Sequence, residues 1–96
     1  MEDGGPSKGP DLYVVARILE RLWREGGPMV KTRLQVAANL NYDVFSKYLT
    51  WLEEKGLVAV STGDGVPSRV EITEKGREAY RRLVSWLDDF VRRQPL

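Results

Sequence analysis

The chain has no cysteine and no histidine. That removes disulfides, the usual thiolate and imidazole metal ligands, a thiol nucleophile and an imidazole base, so the commonest catalytic arrangements cannot be assembled. Neither an enzyme nor a cofactor or metal is expected. Long apolar runs are missing too: charges interrupt each one well before the ~18 residues a membrane span needs, and the N-terminus has no apolar signal core. The expectation is a cytoplasmic, soluble protein with no membrane partner. Charge of a dominant sign is also absent, with 15 Lys and Arg against 14 Asp and Glu, a formal +1. Proteins that live on phosphate contacts are usually more basic than this. At 96 residues there is room for one core of limited stability, which a dimer interface would supplement.

The ordered elements that remain follow a definite sequence. Residues 1–10 are rich in Gly and Pro with little to bury, and read as a flexible tail. From Asp11, a plausible N-cap, Leu12, Val15, Ala16, Leu19, Leu22 and Trp23 recur at helical spacing until Gly26-Gly27-Pro28 ends the helix. Val14 and Ile18 form a second apolar row beside that stripe, which a partner could use. Thr32-Arg33-Leu34-Gln35 has the form of a capping box, giving a second helix from Arg33 to about Asn39 with Leu34, Ala37, Ala38 and Leu40 on its apolar side. Asn41 or Asp43 can cap a third helix, about 42–54, whose inward stripe is Phe45, Tyr48, Leu49 and Leu52. Gly56 ends it as a C-cap glycine should. Two β-branched stretches, 57–62 and 69–73, flank the loop 63–67 and read as a hairpin. Thr73 then caps a fourth helix that carries Ala79, Tyr80, Leu83, Val84, Trp86, Leu87, Phe90 and Val91 before Pro95 stops it.

Helix, corner, helix and hairpin in this order describe a fold that is mainly α with a β-hairpin wing, a winged helix-turn-helix at 11–73 followed by a C-terminal helix at 74–96. In a helix-turn-helix the second helix of the motif enters the major groove of double-stranded DNA. Tyr42, Asp43, Ser46, Lys47 and Thr50 then form the reading surface, and Lys31, Arg33 and, at the wing 63–69, Arg69 are the cations placed to meet phosphate. Ser46 and Thr50 can exchange hydrogen bonds with several bases; Asp43 suits only a cytosine amino group. A handful of phosphate contacts per subunit binds weakly at moderate salt, which couples DNA binding to dimerisation.

Tyr80, Leu83, Leu87 and Phe90 alternate by three and four along the last helix, flanked by Trp86 and Val91, and the domain before it is already closed. This stripe is expected to pair two subunits in a homodimer, with Val14 and Ile18 added from the first helix. Arg77, Arg81, Arg82, Arg92 and Arg93 alternate with Glu74, Glu78, Asp88 and Asp89, a self-compensating face. Trp51 reads as a flanking core residue under the wing. The competing expectation is a winged-helix protein-protein interaction module without DNA binding, docking through Trp51, Trp86 or the wing.

The runs Lys31-Thr32-Arg33-Leu34, Ala38-Asn39-Leu40-Asn41-Tyr42, Lys47-Tyr48-Leu49, Lys55-Gly56-Leu57 and Ile72-Thr73-Glu74-Lys75-Gly76 together resemble the small archaeal winged-helix proteins that serve as transcriptional regulators or chromatin-associated DNA-binding proteins. The resemblance spans about residues 12–91. It implies a C-terminal helix that pairs subunits as an antiparallel coiled coil, and DNA roles for Thr32, Arg33, Tyr42, Ser46, Lys47 and Arg69, in a nucleoid-associated setting. No small-molecule effector is evident. The near-neutral charge and shorter last helix depart from members that coat DNA, and fit a regulator acting at few sites.

Overall fold

A computed structural model describes residues 9–93, with side chains as far as Asp89. The first eight residues of the expected tail, and the side chains of Phe90, Val91, Arg92 and Arg93, lie outside the described residues. Four helices and a three-stranded antiparallel sheet follow in the order α1 Leu12–Glu25, β1 Met29–Val30, α2 Lys31–Ala37, α3 Tyr42–Glu54, β2 Val58–Gly63, β3 Val66–Ile72 and α4 Glu74–Arg93. The sheet order is β1-β3-β2, so β3 is its central strand.

α1 starts where the Asp11 carboxylate accepts from the Tyr13 amide at 2.9 Å, and it ends at Gly26, whose φ of 78° is the left-handed turn expected after a helix. Its buried face is Val14, Val15, Ile18, Leu19 and Leu22. The second apolar row is therefore part of the core, beside Val15, Leu19 and Leu22 of the first. Val14 is 8% and Ile18 0% exposed, so neither can serve the dimer interface assigned to it, and the apolar side chains α1 leaves in solvent are Leu12 and Tyr13 instead. Packing against α3 and β3 turns the seam between the two apolar rows inward.

Met29-Val30 forms a short strand that pairs with Val70 and Arg69. This strand corrects the expected capping box. Because the chain leaves the sheet at Val30, α2 begins at Lys31 with Val30 as its N-cap and no side-chain cap, and Thr32 lies inside the helix. Gln35 turns the other way, its amide nitrogen donating to the Leu40 carbonyl at 3.3 Å. Asn39, at φ 58°, supplies the left-handed turn that ends α2 and starts the corner. Arg17 of α1 holds that corner by donating to the Ala38 carbonyl at 2.8 Å.

α3 is capped by Asn41, whose side chain accepts from the Val44 amide at 2.9 Å. At its far end Gly56 donates to the Glu53 carbonyl and Leu57 to that of Leu52, the paired bonds of a Schellman turn. Phe45, Tyr48, Leu49 and Leu52 are all buried against α1 and the sheet. The Tyr48 hydroxyl accepts from the Asp11 amide at 2.9 Å, tying the start of α1 to the middle of α3. The wing is tighter than expected, since β2 runs on to Gly63 and β3 starts at Val66, leaving Asp64-Gly65 as the turn with Gly65 at φ 73°. Pro67 lies beyond the reach of β1, whose partners in β3 are Arg69 and Val70, and opposite the irregular stretch of β2 between Ser61 and Gly63, so its missing N–H interrupts no regular ladder.

The end of α3 and the start of α4 are locked together. The Thr73 hydroxyl donates to the Gly56 carbonyl at 2.6 Å and accepts from the Gly76 amide at 3.0 Å, while the Thr73 amide donates to the Leu57 carbonyl. A Cβ on Gly76 would stand 2.0 Å from the Leu57 carbonyl oxygen and 2.8 Å from Ile72 Cγ1, so only glycine fits. Lys55-Gly56-Leu57 and Thr73-Glu74-Lys75-Gly76 are thus the two halves of one clamp. The first turns of α4 belong to the core, with Ala79 and Tyr80 packed against it. Tyr80 meets Trp23 at a ring distance of 5.2 Å, and the Arg77 and Arg81 guanidinium groups lie over the same Trp23 ring. Lost solvent raises the Tyr80 hydroxyl pKa above its ordinary value, the nearby Glu20 adding to the shift and Arg24 opposing it.

Candidate nucleic-acid interface

With its apolar row buried, α3 presents Tyr42, Asp43, Lys47 and Thr50 to solvent. These positions lie on the outer side of a helix whose ends are fixed by Asn41 and the Gly56 turn. Ser46 does not join them. It is half-buried, and its Oγ is covered without a hydrogen-bond partner, so the hydroxyl assigned to base contact is turned into the protein. The reason is angular: position 46 lies one row around the helix from 43, 47 and 50, on the flank turned toward the body.

The flanking cations come from two elements joined by the sheet. Lys31 is half-buried at the start of α2, with Thr32 and Arg33 exposed after it. Arg69 is exposed on β3 opposite both Val30 and Ser61, which places it across from the residue that leads into Lys31. Arg33 is the one of these cations with an ion pair among the described residues, to Glu25 at 3.3 Å. The wing residues 63–67 are exposed, and none of them is a cation. Arg17, Asn39 and Glu25 were not singled out from the sequence. A guanidinium beside the buried row of α1 was the available sign that a carbonyl needed a donor.

The distal half of α4 offers a different kind of surface. Leu83 is half-buried, and Val84, Trp86 and Leu87 are exposed. With Leu12, Tyr13 and Ala16 of α1, Leu83, Trp86 and Leu87 line an apolar groove of about 210 Å³. On the opposite flank Glu78 binds both Arg81 and Arg82 at 3.0 Å, as the alternating charges implied. Chiefly the Arg82 hydrogen bond holds the Glu78 carboxyl below its ordinary pKa. No group of side chains that could hold a metal ion occurs among the described residues, and no described helix is long and apolar enough to cross a membrane.

Three helices closing around a corner, with a hairpin beside a bare polar helix face, define a helix-turn-helix domain with a wing. The chain belongs to the winged helix-turn-helix family, whose model matches residues 11–88. An uncharacterised protein of Methanocaldococcus jannaschii is 35% identical over 57 residues, 59% of this chain and 54% of that protein, so the match spans about half of the relative's length. Among solved structures, the DNA-binding protein Sso10a-2 of Sulfolobus solfataricus superposes with a TM-score of 0.70 at 26% identity, covering 80% of this chain and 77% of that one. A MarR-family transcriptional regulator from Silicibacter pomeroyi gives 0.69 at 29% identity over 76% of this chain and 49% of its own. These two solved structures are, respectively, of a DNA-binding protein and of a transcriptional regulator.

Proposed function

We propose that the chain is a dimeric, DNA-binding transcriptional regulator. α3 enters the major groove, with Lys47 and Thr50 reading base edges, Tyr42 lying along the sugar-phosphate chain and Asp43 restricting the choice toward cytosine. Lys31, Thr32 and Arg33 meet one phosphate strand, and Arg69 at the base of the wing meets another. Two subunits associate through the distal half of α4, where Leu83, Trp86 and Leu87 form the contact with Tyr80 at its edge. By sequence spacing Phe90 and Val91 extend that row, and Leu12 and Tyr13 take the place first given to Val14 and Ile18. A cytoplasmic, DNA-associated location follows from this role.

The observation that carries the proposal is the contrast across α3: its inner row is fully used by the core while Tyr42, Asp43, Lys47 and Thr50 remain bare. Similarity to Sso10a-2 and to a MarR-family regulator supports it. The test is titration of random-sequence duplex with the full chain across a salt series, together with sedimentation mass. Binding that weakens steeply with salt is expected, and Lys47→Ala should cost about tenfold and flatten the salt slope by about one unit at unchanged melting temperature. A carboxylate on the reading helix favours the second reading, a protein-interaction module. Failure to bind any duplex at low salt would select it.

A further inference from the structure

We infer that Glu25 sets the strength of the α2 contact by competing, inside the protein, for the cation that would meet phosphate. This rests on the DNA-binding reading above. Lys31, Lys47 and Arg69 make no ion pair among the described residues, whereas Arg33 Nη1 donates to Glu25 Oε2 at 3.3 Å. The pair links two elements: Glu25 is the last residue of α1 and Arg33 the third of α2.

Glu25 stands at an unfavourable place for a carboxylate. It closes a helix at the end where the backbone dipole is negative, so its own helix repels it and Arg33 supplies the compensation. Exposure is unequal across the pair, 65% for the Arg33 side chain against 31% for Glu25. The Arg33 side chain is the more open of the two, which leaves it accessible to an incoming phosphate. Such an exposed pair adds little to folding. Its effect on an anionic ligand is direct, because a phosphate drawn to Arg33 must share the guanidinium with a fixed negative charge a few ångströms away. In an interface of four cations and Asp43, that charge is a sizeable part of the total.

The experiment compares the full wild-type chain with Glu25→Gln, Arg33→Ala and the double variant by fluorescence titration of labelled duplex at low and moderate salt, with thermal melts of each. E25Q should bind about threefold to fivefold tighter at low salt, the scale of one exposed ion pair, with the gain shrinking as salt is added. The gain should vanish when Arg33 is already alanine. Unchanged or weaker binding by E25Q with an unchanged melt would overturn the inference, and so would a gain that survives in the R33A background. Should E25Q unfold, Glu25→Ala serves instead: it too removes the charge beside Arg33, and affinity should rise if competition is the cause and stay level if it is not. Wild-type chain that binds no duplex at all would overturn the DNA reading itself, an outcome separate from the failure of E25Q alone.

Discussion

α3 and the distal half of α4 both carry apolar rows at helical spacing, but the fold consumes one and leaves the other. On α3 the row Phe45, Tyr48, Leu49 and Leu52 is buried, and what remains outside is polar and charged. On α4 the core is satisfied by Gly76, Ala79 and Tyr80, after which Val84, Trp86 and Leu87 continue into solvent; Trp86 is 58% exposed. The two faces therefore suit partners of opposite character. Hydrogen-bonding groups and a cation on α3 suit a polyanion, whereas contiguous apolar surface on α4 gains about 25 cal/mol per Å² only when another apolar surface covers it.

The sharpest test of the contrast is a matched pair. Leu52→Ala should lower unfolding stability by about 3 kcal/mol, whereas Leu87→Ala, at a side chain partly covered by α1 in the single subunit, should lower it by about 1 kcal/mol and act mainly on association. Urea denaturation and sedimentation separate the two, and equal losses of stability would erase the distinction. Next in size is Gly76→Ala. Its Cβ meets backbone that cannot withdraw, so a loss of about 2 kcal/mol is expected despite the better helix propensity of alanine, visible as a lower urea midpoint.

Ser46→Ala should be neutral or stabilising by up to about 1 kcal/mol, since it removes a covered hydroxyl without a partner. Duplex affinity should not change; a tenfold loss would return Ser46 to the reading surface. The smallest effect concerns Glu78. A carboxyl held below its ordinary pKa contributes stability that is present above the normal carboxylate range and fades as pH falls through the lowered value. Side-chain NMR should show it titrating below the ordinary value, and Arg82→Ala should move it back.

Elements governed by nearby residues were legible in the sequence. The α3 cap, which falls to Asn41 of the two candidates, the extent of α3, the Gly56 turn and the Thr73 cap all depend on partners a few positions away, and the last three stand where the spacing placed them. The misreadings share a different cause. β1 is two residues long and is a strand only because Val70 and Arg69, about forty positions later, lie beside it. Once that pairing forms, it sets the start of α2 and cancels the capping box that Thr32 and Gln35 would otherwise make. The orientation of α1 was equally non-local, since packing buries Val14 and Ile18 together with Val15, Leu19 and Leu22 and leaves Leu12 outside. For the candidate interface, residue type identified the outward row of α3, but the turning-in of Ser46 and the engagement of Arg33 by Glu25 depend on neighbours that spacing alone does not reveal.

The clamp of Thr73 on Gly56, with Leu57 seated on Gly76, has a mechanical consequence. It makes the end of α3 the pivot of a lever whose arm is the rest of α4, about 25 Å at 1.5 Å per residue. With the pivot bonded on both sides and too tight for a side chain, a tilt of about 5° about it would swing the far tip by roughly 2 Å. Anything that held that tip would therefore be coupled through the clamp to the end of α3.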